Sequence, residues 1–215
     1  MSKYAVVDLE MCRVHDPEAA AFQYKNELIQ IGAVLLDEDY EIIDSFMTHC
    51  APRFGHVDAY IERLTGISPA DTANAPSTED ALAAFTAWLP EDAELVSWSD
   101  NDELQIRREL EFKEIDLPEL EDYLDTWIDC QQTFAELMDN DRQYRLSEAL
   151  IIADIDSDDG AHDALIDARN TAMLFKKMET EPDFKLNSWL SSEDQVKSSG
   201  SNPFAALLAD YKFDE

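Results

Sequence analysis

The chain contains 215 residues, of which 45% are hydrophobic, and its 48 Asp and Glu residues outnumber 16 Lys and Arg residues to give a formal net charge of −32. This composition predicts a soluble globular domain and excludes wholesale disorder, and no apolar run approaches the roughly 18 residues of a membrane span. The five glycines are too scattered for a G-x-G-x-x-G turn or a Walker A loop, which argues against ATPases and dinucleotide-binding enzymes.

The cysteines and the N-terminus indicate the compartment. Cys12, Cys50 and Cys130 occur singly, without C-x-x-C spacing, so the sequence predicts neither a disulfide framework nor a zinc knuckle. The chain passes from Met1 into an apolar run at residues 4–7 without a signal-peptide core. We therefore expect a cytoplasmic protein that does not associate with membranes.

The first half of the chain is predicted to begin with β-strands. Val- and Ile-rich segments separated by polar turns predict strands at residues 4–8, 27–36 and 41–48. Their short connections favour antiparallel neighbours. A short helix is expected over residues 58–65, and a second helix is expected to start at residues 76–79 and to end near Pro90.

Strands and helices alternate in the second half. The pattern predicts a strand at 94–97, a helix at 102–110, a strand at 123–129 that leads into a helix through Met138, a helix after Leu146, and a final helix at 163–177. An antiparallel start followed by alternating units implies a mixed α/β sheet. We place one domain at residues 1–180.

Residues 181–215 differ from the domain before them. Residues 181 to about 203 are polar and Ser-rich, which is typical of a linker. Residues 203–213 then form a short amphipathic segment. Such a segment docks on its own domain or binds a protein partner, and the sequence leaves both alternatives open.

The strongly negative charge constrains a nucleic-acid function without excluding it. A net charge of −32 repels a polyanion at long range, which opposes broad electrostatic capture of duplex nucleic acid. Carboxylates that bind divalent cations nevertheless reverse the field wherever phosphates must lie.

Asp8 and Glu10 are the first candidate site residues. They lie two apart in a strand whose intervening residues are apolar, so both carboxylates project from one face. Two like charges side by side raise each other's pKa unless a cation such as Mg²⁺ or Mn²⁺ is shared between them. The alternative is a solvated edge strand in a chain that is acidic throughout.

His162 and Asp167 form the second candidate pair. Five positions of a regular helix rotate by about 140°, so the two side chains cannot share a site within one helix. They can meet if the helix begins after His162, with Asp163 as its N-cap and Gly160 in the preceding loop. This arrangement suits a proton-transfer base beside a metal ligand.

A third segment, residues 96–102, connects a predicted strand to a predicted helix. One of its carboxylates would complete a cluster with the residues above. Asp100 and Asp102 are both suitably placed, and helix capping is an alternative explanation for either of them.

Taken together, these segments resemble the DEDDh group of 3′-to-5′ exonucleases, which includes a polymerase proofreading subunit, ribonuclease T, oligoribonuclease and Eri-type histone-mRNA exonucleases. The resemblance covers residues 3–178. It rests on five ordered segments at residues 7–10, 27–34, 64–67, 97–102 and 162–168. The Trp-containing segment is most similar to the Eri-like branch, and this similarity selects Asp102 over Asp100.

The resemblance implies a ribonuclease H-like fold, with a mixed five-stranded sheet flanked by helices. It implies that two divalent ions, Mg²⁺ or Mn²⁺, are held by four carboxylates and that His162 is the general base. The four expected metal ligands are Asp8, Glu10, Asp102 and Asp167. The expected reaction releases 5′-mononucleotides from the 3′ ends of single-stranded RNA or DNA.

Four further residues are expected at the substrate. The segment Thr65, Gly66 and Ile67 matches one that contacts the terminal nucleotide in the family, although Gly66 equally explains the end of a helix. Met11 departs from the small residue that is common after Glu10, and its thioether either packs on a terminal base or fills the core.

Two other functional classes compete with this hypothesis. A catalytically silent relative would use the same fold as a nucleic-acid or protein binding module, because a fold does not determine a function. A calcium loop at residues 154–160 is disfavoured, because Asp159 occupies the place of the glycine that the EF-hand requires.

Overall fold

The computed structural model describes residues 3–14, 24–139, 141–157, 160 and 162–181. Its strands are β1 (Lys3–Arg13), β2 (Asn26–Leu36), β3 (Ile42–His49), β4 (Ala93–Ser97) and β5 (Ile128–Asp129). They form one sheet in the order β3-β2-β1-β4-β5. The pairs β1/β2 and β2/β3 are antiparallel, whereas β1/β4 and β4/β5 are parallel, which confirms the predicted mixed sheet.

The predicted helices are present, together with two that were not predicted, Pro69–Ala73 and Pro118–Leu124. The helices of the described ranges are α1 (Ala59–Thr65), α2 (Pro69–Ala73), α3 (Thr78–Trp88), α4 (Asn101–Lys113), α5 (Pro118–Leu124), α6 (Cys130–Leu137), α7 (Leu146–Ile152) and α8 (Ala164–Thr180). Asp58 and Ser77 accept hydrogen bonds from backbone N–H groups at the starts of α1 and α3, as expected of N-caps. Within these ranges, no helix is both long and apolar enough to cross a membrane.

One predicted strand is wrong. Residues 123–129 were expected to form a strand, but Tyr123 and Leu124 end α5, and β5 contains only two residues. Pro118 at the start of α5 favours a helix, and Leu120 and Leu124 are buried four residues apart on one face of it. Packing of that face against the core therefore outweighs the strand-like composition.

The core consists of two layers, one on each face of the sheet. Val7 and Leu9 of β1 pack with Phe85 of α3 and Ile106 of α4. On the opposite face, Val6 packs in a cluster that includes Phe134 of α6, Ile152 of α7 and Phe175 of α8. Side chains alternate along a strand, so Asp8 and Glu10 project from the face that α8 covers.

The strand β1 is longer than its parallel neighbour. β1 pairs with β4 only from Lys3 to Val6, whereas its pairing with β2 continues to Arg13. The part of β1 after Val6 is therefore free of β4 along that edge. This overhang carries both acidic residues of the strand.

Candidate metal centre and active site

The register of the sheet places small or polar residues beside the acidic pair of β1. Asp8 lies opposite Gly32 of β2, and Glu10 lies opposite Gln30. A Cβ atom added to Gly32 would lie 2.2 Å from both the backbone carbon of Ala164 and the backbone nitrogen of Leu165. Only glycine permits this approach, because the atoms that would clash belong to the backbone of α8.

Gln30 holds the start of α8 against the sheet. Its side-chain oxygen Oε1 accepts a hydrogen bond of 3.1 Å from the N–H of Ala164. This contact satisfies one of the N–H groups that a helix leaves unpaired at its N-terminus. The first turn of α8, which contains Asp167, is thereby fixed over the face from which Asp8 and Glu10 project.

The helix α8 begins after His162, as the sequence predicts. Asp163 is the N-cap, and its carboxylate accepts hydrogen bonds from the N–H groups of Leu165 at 3.0 Å and Ile166 at 3.2 Å. His162 has a φ of 69° and its N–H donates to Oδ2 of Asp167 at 2.9 Å. The left-handed backbone and this hydrogen bond turn the imidazole back towards the first turn of α8.

Three ligand atoms come together at this point. One ring nitrogen of His162 and one carboxylate oxygen each from Glu10 and Asp167 lie within 4.8 Å of one another. Glu10 is buried and His162 is exposed, so the group opens to solvent on the side of the imidazole. A metal ligand and an accessible base therefore lie side by side.

Asp102 approaches the same strand from the other side. It lies in the first turn of α4, is 7% exposed, and its Oδ1 accepts a hydrogen bond of 3.2 Å from the N–H of Leu9. This N–H belongs to the overhang of β1. Asp100 is exposed and makes no side-chain cap hydrogen bond. The structure thus brings Asp102, and not Asp100, into contact with β1.

Burial, reinforced by mutual repulsion, raises the pKa values of the cluster. Burial, followed by the charges of Asp102, Asp167, Glu10 and Asp163, raises the pKa of Asp8 well above its usual range. Burial and the charges of neighbouring carboxylates raise the pKa of Glu10 to about 8. Each charged group that acts strongly on these two residues is another carboxylate.

For Asp102 and Asp167, hydrogen bonds partly offset the rise in pKa that burial causes. Burial raises the pKa of Asp102 to about 7, although hydrogen bonds from the backbone N–H groups of Leu9 and Asp102 lower it. Burial also raises the pKa of Asp167, against the hydrogen bond and the positive charge of His162. Both acids are therefore anchored, yet their charged forms remain disfavoured.

This donor set fits divalent cations. Buried carboxylates that raise each other's pKa become favourable only when a positive charge enters between them. Oxygen donors are the ligands that Mg²⁺ and Mn²⁺ prefer. The expected set of Asp8, Glu10, Asp102 and Asp167 satisfies both criteria, and the ring nitrogen of His162 adjoins it.

The segment expected to contact the substrate belongs to a hydrophobic cluster that includes the end of β1. Ile67 packs with Cys12, which follows Glu10 by two positions on the same face of β1. Thr65 is buried, and its Oγ1 donates to the carbonyl of Ile61 and accepts from the N–H of Ile67. Gly66 has a φ of 74° and open space around its Cα. The backbone at Gly66 is therefore accessible to solvent.

Met11 lies elsewhere. Its position in β1 places it on the opposite face from Asp8 and Glu10, where it is partly buried against the core cluster that contains Leu9 and Leu28. The structure thus gives Met11 the packing role that was the alternative to a nucleotide contact. A contact between Met11 and substrate stays a prediction without geometric support.

Sequence reasoning missed Gln30 and Gly32 as positioning residues. The available signal was the presence of Gln30 and Gly32 inside the buried and otherwise apolar stretch of residues 28–36. A glycine inside a strand indicates a close approach by another backbone. The sequence does not reveal which backbone approaches, because Ala164 lies more than a hundred residues further along the chain.

Comparisons with known proteins agree with this geometry. The model of the exonuclease family, represented by RNase T, matches residues 5–175. The ERI1 exoribonuclease 2 of Danio rerio is 30% identical in an alignment that covers 72% of this chain and 32% of that relative, so the chain spans about a third of its length. Fold and site define a protein with a clustered carboxylate centre on a mixed sheet. The chain belongs to the exonuclease family.

Solved structures show the same fold. A 3′-exonuclease solved in recognition of the histone mRNA stem-loop has a TM-score of 0.71 and 18% identity, over 86% of this chain and 84% of that one. Escherichia coli exonuclease I in complex with a dT13 oligonucleotide has a TM-score of 0.65 and 18% identity, over 84% of this chain and 41% of that one. The predicted ribonuclease H-like sheet flanked by helices is therefore confirmed.

Two sequence-based predictions lie outside the described residues. The amphipathic segment 203–213, expected to dock on this domain or on a protein partner, is one of them. The candidate calcium loop is the other in part, because residues 158 and 159 are not described.

Proposed function

We propose that the chain is a divalent-metal-dependent exonuclease that hydrolyses single-stranded RNA or DNA from the 3′ end to 5′-mononucleotides. The observation that carries this proposal is the meeting of His162, Glu10 and Asp167 within 4.8 Å, beside Asp8 and Asp102. Family membership and the nucleic-acid complexes of the structural neighbours support the same reaction class.

The carboxylates would hold two ions, Mg²⁺ or Mn²⁺. Bound there, such ions would lower the pKa of water and stabilise negative charge on the attacked phosphate and the leaving oxygen. Glu10 and Asp167 would bind metal next to His162. Asp8 of β1 and Asp102 of α4 would complete the set of ligands. Their burial would keep competing water away from the phosphate.

His162 would act as general base. Its imidazole is exposed at the rim of the cluster and would accept a proton from the attacking water as the water oxygen bonds to phosphorus. The bond between phosphorus and the 3′ oxygen would then break. The 3′ oxygen would take a proton from solvent, so that the shortened strand leaves with a 3′ hydroxyl group and the nucleotide with a 5′ phosphate. The hydrogen bond from the main-chain N–H of His162 to Asp167 would keep the imidazole near the reacting water.

The segment at Gly66 would receive the terminal nucleotide. Thr65 and Ile67 are fixed by hydrogen bonds and packing, so the accessible backbone between them forms a rigid surface. A sugar or base has room there because no heavy atom lies within 4 Å of a Cβ added to Gly66.

Time courses on 5′-labelled single-stranded RNA and DNA test this function. With Mg²⁺ or Mn²⁺, a ladder shortened one nucleotide at a time is expected, and EDTA should abolish it. His162→Ala should reduce the rate by about 10²- to 10⁴-fold, the usual contribution of a general base. A folded, metal-loaded protein that binds these strands without shortening them would instead identify a silent binding module.

A matched pair of variants tests the site geometry. Asp102→Asn removes a buried carboxylate that contacts β1, whereas Asp100→Asn removes an exposed one two residues away. Only Asp102→Asn is expected to abolish turnover. Equal losses in both variants would contradict the proposed ligand set.

A further inference from the structure

Three exposed arginines surround the end of β1. Arg13 is the last residue of β1, Arg53 lies in the loop before α1, and Arg63 lies in α1. Residues 49–67 contain as many arginines as acids, and Arg13 adds one more cation. In a chain with a net charge of −32, the described residues of this group thus hold three arginines against two acids.

An exposed tyrosine organises two of these arginines. The guanidinium carbon of Arg13 lies 5.3 Å from the centre of the Tyr60 ring, and that of Arg63 lies 5.8 Å from it. Tyr60 itself is 44% exposed. Tyr60 and Arg63 are three residues apart in α1, so they share the outer face of this helix.

The N–H groups of Arg13 and Arg63 are not used in salt bridges with described residues. Among the described residues, neither Arg13 nor Arg63 forms a salt bridge, whereas Arg107 and Lys176 are paired with carboxylates. A guanidinium over an aromatic ring contacts it through its face, and the N–H groups of its edge remain available. Such an edge matches two oxygens of a phosphate.

The two acids near Arg13 and Arg63 either cap a helix or face solvent. The carboxylate of Asp58 accepts the N–H groups of Tyr60 and Ile61 at the start of α1. Glu62 is exposed on the helix surface. Neither acid neutralises the two arginines by direct pairing.

The two arginines are linked to the candidate active site through β1. Arg13 follows Glu10 by three residues of strand, or about 10 Å, and strand alternation directs its side chain away from the face of Glu10, so that it reaches α1 at the end of the strand. The buried carboxylate of Glu27 accepts the N–H groups of Arg53, Phe54 and Gly55 at 2.6–2.8 Å and pairs with Lys113 at 2.7 Å. The loop that leads into α1 is therefore anchored to the sheet.

We propose that Arg13 and Arg63, positioned by Tyr60, bind phosphate groups of a single-stranded nucleic acid a few nucleotides upstream of its 3′ end. This inference rests on the proposed function, because it assigns the path that the strand follows away from the hydrolysed end. Two preorganised cations offset the long-range repulsion of an acidic protein at the place where the strand leaves the site. The chemistry recognised is the phosphodiester backbone that RNA and DNA share.

The test compares substrates of different lengths. For a ten-nucleotide strand, the double variant Arg13→Gln/Arg63→Gln should raise KM at least tenfold, while kcat/KM for a dinucleotide stays within twofold of the wild type. Tyr60→Phe retains the ring and should behave as wild type, whereas Tyr60→Leu should raise KM for the longer strand. The charge-matched control Arg107→Gln/Lys176→Gln should leave KM unchanged for both lengths.

Binding gives a second readout that does not need turnover. In a His162→Ala background with Mg²⁺, the affinity for the ten-nucleotide strand is measured by fluorescence anisotropy between 50 and 300 mM salt. The double variant should reduce the slope of log affinity against log salt by about 1.4, because each phosphate contact to a single strand contributes about 0.7.

The outcomes separate the two proposals. If the wild type hydrolyses neither substrate, the proposed function fails, and the salt dependence of binding still tests the arginines. If hydrolysis proceeds but the double variant matches the control at both lengths, the phosphate-binding role of Arg13 and Arg63 is overturned. Equal losses on the dinucleotide and the longer strand would also overturn it, since they would place the arginines at the reacting end.

Discussion

Glu10 shows how a single residue couples stability to metal binding. It is 8% exposed, and its pKa is raised to about 8. One of its carboxylate oxygens lies within 4.8 Å of a ring nitrogen of His162 and of a carboxylate oxygen of Asp167. The folded metal-free protein therefore holds a proton on Glu10 at pH values where the unfolded chain has lost it. Metal binding replaces that proton with a cation. The ionised Glu10 side chain therefore destabilises the metal-free folded protein and stabilises the metal-bound one.

This coupling predicts the pH dependence of stability. The ordinary pKa of Glu10 is 4.5 and the folded value is about 8, so the folded state binds more protons between these values. The contribution of Glu10 to the free energy of unfolding in EDTA should thus fall as pH rises from 4.5 to 8, by about 4 kcal/mol. Chemical denaturation at several pH values measures it.

Two controls make the pH prediction specific. Glu10→Gln should flatten the decline, whereas Glu79→Gln, an exposed acid at the start of α3, should leave it unchanged. Saturating Mg²⁺ should remove the decline in the wild type. A decline of the same steepness in Glu10→Gln would show that this carboxylate is not the group responsible.

At the level of elements, the approach of α8 to β2 builds the site. Gly32 lets the backbone of Ala164 and Leu165 reach the sheet, and Gln30 holds that contact by a hydrogen bond. Asp167 and His162 belong to the first turn of α8 and the residue before its cap. Asp167 and His162 can therefore lie close to Asp8 and Glu10 because Gly32 has no Cβ atom to hold α8 away from the sheet.

A methyl group at Gly32 should separate these elements. Gly32→Ala would place a Cβ 2.2 Å from backbone atoms that cannot rotate away, so we expect a loss of about 3 kcal/mol or more in the free energy of unfolding. The stabilisation by Mg²⁺ should also be lost. Thermal denaturation with and without Mg²⁺ measures both effects.

Gly66→Ala is the matched control for Gly32→Ala. No heavy atom surrounds that position, so only its φ of 74° opposes alanine, at a cost of about 1 kcal/mol. Stabilisation by Mg²⁺ should remain. If Gly32→Ala also keeps the full response to Mg²⁺, the close approach does not determine the geometry of the metal centre.

Elements with local signals were predictable from the sequence, and elements set by distant contacts were not. The N-cap at Asp163 and the strand that carries Asp8 and Glu10 follow from local periodicity and capping chemistry, and both are confirmed. The helix at residues 118–124 was missed because burial of Leu120 and Leu124 decides it. That burial depends on elements far along the chain.

The candidate site was predictable to a similar degree. Periodicity paired Asp8 with Glu10, but residues alone left Asp100 and Asp102 equivalent. The structure distinguishes them by a hydrogen bond from Leu9, a contact over 93 positions. Gln30 has no chemical role of its own, so only the observed contact with α8 identifies it.

At the level of the whole molecule, the acidic charge is unevenly distributed. Residues 91–130 contain 15 acids and three bases, and most of these acids are exposed. Arg13 and Arg63, in contrast, lie on the ring of Tyr60. In the proposed binding path, long-range repulsion and short-range attraction of phosphate would act at different places on one protein.

Self-repulsion of this charge should limit the stability of the folded chain. We expect the melting temperature in EDTA to rise by several degrees as NaCl increases from 20 to 300 mM, because the Debye length shortens over this range. A variant with Glu111, Glu119, Glu121 and Asp122 changed to amides should gain less from salt than the wild type. An equal gain would assign the effect to other charges.

The backbone position of His162 bears on how this domain can change over evolutionary time. Its imidazole is exposed, and its fold-supporting hydrogen bond uses only the main-chain N–H, which nearly every other amino acid also possesses. A φ of 69° suits glycine or asparagine at least as well as histidine. Under the proposed mechanism, one substitution at this position would remove the general base and leave the fold-supporting hydrogen bond in place, so a relative that binds nucleic acid without cutting it would differ by a single residue.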